Sequence, residues 1–86
     1  MPDYEVKWTE TTARFLEKME RSDAERILEK MKLVGKNPFH YIKSLKGVPL
    51  YSLRTGKCGV IMSIEREKLV ILVIDVVNRK NDYDDL

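Results

Sequence analysis

Between Glu29 and Glu65 the chain has no acidic residue, although Asp and Glu number 14 overall. The gap holds seven cations, Lys30, Lys32, Lys36, Lys43, Lys46, Arg54 and Lys57, and leaves nine basic and fourteen acidic residues outside it. A formal net charge of +2 therefore hides a basic middle between acidic ends. A surface serving solubility alone mixes both signs, so the gap points to a polyanionic partner. The single cysteine, Cys58, excludes an internal disulfide. Without paired metal-ligand spacings it predicts a reducing, cytoplasmic setting and no bound metal or cofactor. With His40 as its one histidine, the chain is poor in conventional proton carriers. Its longest unbroken apolar run, residues 69 to 74, is far short of the ~20 residues of a membrane helix. The polar opening "MPDYEVKWTE" is unlike a secretory signal, and no membrane role is expected.

What is present is enough for one small domain, 86 residues of which 43% are hydrophobic. "YEVKW" at 4 to 8 alternates as a half-buried strand does. Thr9 is placed to cap a first helix with Thr12, Phe15, Leu16 and Met19 on one face, ending near Arg21. "SDAE" at 22 to 25 has capping-box spacing, and Ala24, Ile27, Leu28, Met31 and Val34 follow it as a second helical stripe. "GKNP" at 35 to 38 is expected to stop that helix with Gly35 as a left-handed cap. The period then changes to that of strands. A short extended lead-in at 41 to 45 precedes strands at 50 to 54, 59 to 65 and 68 to 77, joined by links short enough for an antiparallel meander. The order β-α-α-β-β-β predicts an α+β domain, its helical pair on one face of a four-stranded, mostly antiparallel sheet. The other face is left for function, and the acid-free stretch is expected to gather on one concave surface.

Read in order, "LKG" at 45 to 47, "YSLRTG" at 51 to 56, "VIMSI" at 60 to 64, the apolar strand at 69 to 77 and "NRKNDY" at 78 to 83 resemble the RelE/ParE superfamily of toxins from toxin-antitoxin pairs. The resemblance spans the whole chain and implies a RelE-like fold with a RelB-like antitoxin wrapped around it. For the RelE branch it implies a metal-independent endoribonuclease, active on messenger RNA in the ribosome. For the ParE branch it implies a toxin that binds DNA gyrase and cuts no RNA. Ser52 stands where the family pattern has arginine, Cys58 and Gly59 where it has tyrosine and arginine, and Asn78 where it often has histidine. The arginine replaced by Gly59 is one commonly implicated in RelE catalysis, so a catalytically degenerate binding protein stays open beside the two toxins.

By the same resemblance Arg54 matches the second arginine of the Tyr-Arg-Leu-Arg strand. There a guanidinium fork clamps phosphate or the transition state; the plain alternative is an exposed strand arginine. Arg79 and Tyr83 match the C-terminal Arg-x-x-x-Tyr, one to contact phosphate and the other to stack on a base or exchange a proton. Lys43, Lys46, Lys57 and Lys80 are the expected backbone-tracking cations of an RNA groove, against the plain reading of solvated surface. His40 reads as a structural or surface residue and Cys58 as a small packed thiol. Trp8, Phe15, Leu16, Met19, Ile27 and Met31 read as core. Asp75, interrupting an apolar strand, is expected to pair with a nearby cation.

Overall fold

In the computed structural model, residues 3 to 78 are described. The alternating start forms β1 (Glu5–Trp8), with Val6 and Trp8 turned towards the core and Glu5 and Lys7 exposed. Thr9 then caps α1 (Glu10–Lys18), its Oγ1 accepting from the Thr12 N–H at 3.2 Å. Thr12 is buried, and its hydroxyl reaches the Thr9 carbonyl at 2.9 Å and the Val73 carbonyl at 3.5 Å, fastening α1 to the sheet. The helix stops three residues before Arg21, which already opens the next one. Phe15 is 42% exposed. At 100° per residue it falls on the flank of the line through Thr12, Leu16 and Met19, and so short a helix seats one line against the sheet.

The second helix, α2 (Arg21–Lys36), begins one residue ahead of Ser22, so the expected capping box does not form. Glu20 is the N-cap without a side-chain bond, and Asp23 supplies the negative charge that complements the first turn. Ile27, Met31 and Val34 are buried as the stripe requires, whereas Leu28 is 43% exposed. Gly35 is not the left-handed cap. It lies inside the helix because β1 passes close by: a Cβ there would stand 3.2 Å from the Tyr4 carbonyl oxygen, while the Tyr4 N–H donates to the Gly35 carbonyl at 2.8 Å. Pro38 then opens a one-turn helix, α3 (Pro38–Tyr41), which the sequence reading did not foresee.

The remaining strands are β2 (Lys43–Ser44), β3 (Tyr51–Thr55), β4 (Cys58–Glu65) and β5 (Val70–Asn78). They form a five-stranded sheet in the order β1-β5-β4-β3-β2, with β1 parallel to β5 and every other pairing antiparallel. The count exceeds the expected four because two residues of the extended lead-in pair with β3. Leu53, Val60, Met62, Ile71, Val73 and Val76 meet Ile27, Met31 and Val34, and all nine are at most 3% exposed. Cys58 is buried with them, as a packed thiol should be.

Asp75 follows a bulge. Ile61 lies opposite Asp75 and Met62 opposite Val73, so Ile74 is one extra residue in β5. The insertion turns Ile74 and Asp75 outwards and returns Val76 to the core. The Asp75 carboxylate accepts from the Val76 N–H at 2.9 Å; its described partner is the adjacent backbone, not the cation expected for it.

Candidate nucleic-acid interface

Strand alternation divides the sheet into two unlike faces. Opposite the helices, Leu72 and Ile74 are 36% and 37% exposed, so the helical layer does not cover this side. Pairing register arranges its residues in rows: Arg54, Gly59 and Val77; then Lys43, Ser52, Ile61 and Asp75; then Ser63, Leu72 and Lys7; then Glu65, Val70 and Glu5. Arg54 therefore stands in the row at one end and Glu5 and Glu65 in the row at the other, with Lys43 and Asp75 sharing the row next to Arg54.

Arg54 is exposed on this open face, as its place beside buried Leu53 and Thr55 required. Gly59, directly opposite, offers no side chain, and Ser52 on the next row is buried. Arg54 is thus the one cation of its row among the described residues. β5 reaches Asn78 opposite Cys58, at the same end of the sheet. The next candidates, Arg79, Lys80 and Tyr83, lie outside the described residues.

The other expected cations are less closely gathered than the sequence suggested. Lys43 is exposed on β2, in register with Ser52, and Lys46 is exposed in the loop where the Leu45 N–H donates to the Leu50 carbonyl at 2.9 Å. The ammonium of Lys57, in the β3-β4 turn, lies 3.5 Å from the Asp23 carboxylate of α2. Its side chain is 54% exposed, so this pair adds little stability, yet it holds the charge towards the helices. Lys30, Lys32 and Lys36 belong to α2, so the acid-free stretch serves both layers rather than one concave wall.

Arg26 was missed by sequence reasoning. Its guanidinium packs over the β3-β4 turn so closely that a Cβ on Gly56 would stand 3.0 Å from Nη1, and Gly56 itself has φ of 59°. Arg26 sits among acids in the sequence, and only folding lays the first turns of α2 across that turn. A guanidinium exposed on an open sheet face is a group of the kind that recognises phosphate. Among the described residues no group of three or more His, Cys, Asp or Glu could hold a metal, and no helix is long and apolar enough to cross a membrane.

No protein-family model matches the chain, and no curated protein matches it in sequence. Solved structures do match in fold. The RelBE2 toxin-antitoxin complex from Mycobacterium tuberculosis superposes with a TM-score of 0.82 at 22% identity, covering 90% of this chain and 99% of that one. The archaeal RelE-RelB complex from Pyrococcus horikoshii gives 0.81 at 24% identity, covering 94% and 99%. A mutant of the Escherichia coli toxin RelE in its free state gives 0.76 at 24% identity, covering 93% and 87%. Helices on one face of a mixed, mostly antiparallel sheet, matched over nearly the whole chain, make this the fold of the RelE toxins.

Proposed function

We propose that this chain is the toxin of a type II toxin-antitoxin pair and a ribosome-dependent messenger-RNA endonuclease of the cytoplasm, held inactive by a RelB-like antitoxin. The observation that carries the reading is Arg54, exposed on the open face of a sheet with the fold of the RelE toxins. In the chemistry proposed, the RNA 2′-oxygen attacks the adjacent phosphorus and loses its proton, while the departing 5′-oxygen gains one. The products are a 2′,3′-cyclic phosphate and a free 5′-hydroxyl. Arg54 neutralises the phosphorane through its guanidinium fork. Arg79 adds a second cation, and Tyr83 stacks on a base or carries a proton. Lys43, Lys46, Lys57 and Lys80 follow the RNA backbone. The ribosome fixes the message in the reactive geometry, which supplies much of the rate that a site poor in acid-base groups does not.

Incubation of the purified chain with programmed ribosomes tests this reading. Cleavage should require ribosomes and should stop when the nucleotide 5′ to the cut carries 2′-deoxyribose, because its attacking oxygen is then missing. A second reading is favoured by one observation: Gly59, opposite Arg54, and buried Ser52 supply no cation at the two positions where the RelE pattern has arginine. That is the pattern of a ParE-like chain that binds DNA gyrase, or of a degenerate RelE-fold binding protein. Inhibition of supercoiling with intact message would select the gyrase reading; neither effect, with antitoxin binding retained, would select the degenerate one.

A further inference from the structure

We infer that α3 and the β4-β5 turn form a seat for an unpaired RNA base, separate from the Arg54 row. Phe39 is 45% exposed. The Arg66 guanidinium lies over its ring at 4.5 Å, and Tyr51 meets it edge to face at 5.7 Å and 75°. The next two residues repeat the theme: His40 stands edge-on to Tyr41 at 4.8 Å, and Lys30 lies over the Tyr41 ring at 5.6 Å. One helical turn thus presents three consecutive rings, with a cation over two of them, and Lys43 follows at once on β2.

The chemistry of this cluster suits a nucleobase. Exposed aromatic rings with a guanidinium beside them offer a sequence-tolerant surface for a base to stack on, and nearby ammonium groups receive the adjoining phosphates. No carboxylate competes through an ion pair: Glu65 is paired with Lys68 at 3.6 Å, and among the described residues Lys30, Lys43 and Arg66 pair with no acid. Exposed Glu67 adjoins Arg66 in sequence and is the one acid beside it left unpaired among the described residues. Tyr51 and Arg54 stand at opposite ends of β3, roughly 10 Å apart along the strand. A single RNA strand can therefore occupy the seat without entering the proposed cleavage row, and the seat requires no cleavage to be detected.

Binding of a short labelled oligouridine to the full chain, followed by anisotropy across a salt series, tests the seat. Phe39→Leu should weaken binding about 5- to 160-fold, the range found for one stacked base, and leave the salt slope unchanged because stacking releases no counterion. Arg66→Gln should weaken it too, and the double variant should lose less than the product of the two losses, since both act in one stack. A strand of abasic sugars should bind the native chain weakly and be indifferent to Phe39→Leu. Because Phe39 also touches Tyr51, Arg66→Gln at an exposed turn decides the matter if Phe39→Leu disturbs folding. Affinity unchanged by Arg66→Gln, equal losses on the abasic strand, or no RNA binding by the native chain would overturn the proposal, the last leaving a protein-docking surface instead.

Discussion

Arg54 owes its position to elementary alternation: Leu53 and Thr55 are buried, so the residue between them faces away from the helices. That direction was legible in "YSLRTG". The direction of Lys57 was not, because its partner Asp23 lies in another element and no local pattern links the two. If Arg54 clamps the phosphorane, Arg54→Ala should slow cleavage on programmed ribosomes by about 100-fold or more. Arg54→Lys should fall between, since an ammonium keeps the charge but loses the fork. Gly56 is demanding for a different reason, its left-handed backbone. Gly56→Ala should cost about 1–2 kcal/mol in urea unfolding, with Gly56→Asn costing less because asparagine tolerates that region better. The Arg26 side chain over the turn can swing aside, so most of the loss should be backbone strain rather than collision.

Elements were predicted well where packing and propensity agree and less well at their ends. Both helices and the meander follow the periodicity of the sequence. The Ser22 capping box failed because α2 starts directly after a two-residue link, leaving Ser22 inside the first turn. Gly35 was misread because its reason is tertiary, the approach of the Tyr4 carbonyl, and a glycine near a helix end looks the same in either role. The bulge in β5 is the third such case. An apolar run hides an extra residue until pairing with β4 reveals it, and the bulge is what places Asp75 outside the core. Asp75→Ala should destabilise by about 1 kcal/mol through loss of the bond to the Val76 N–H. Asp75→Asn, which keeps an acceptor oxygen, should cost clearly less. Equal losses for the two substitutions in chemical denaturation would mean that the carboxylate does not fasten the bulge.

At the scale of the whole molecule, one sheet separates a hydrophobic core from a face whose rows run from Arg54 to Glu5 and Glu65. The acid-free stretch announced a cationic protein, but composition alone could not say that α2 would carry three of its lysines to the helical layer. RNA affinity should therefore fall with salt at a log-log slope of about −0.7 per neutralised phosphate, and Lys43→Ala should reduce that slope by about 0.7. Lys57→Ala should change it less, because Asp23 already engages its ammonium. A slope insensitive to both substitutions would remove electrostatic guidance by these lysines. The most direct measurement is 5′-end mapping of cellular transcripts after expression of the native chain and of Arg54→Ala. We expect cuts in phase with codons on translated messages from the native chain, and their loss from the variant. Growth arrest with uncut transcripts, or the same cuts from both proteins, would contradict an RNA-cleaving site at Arg54.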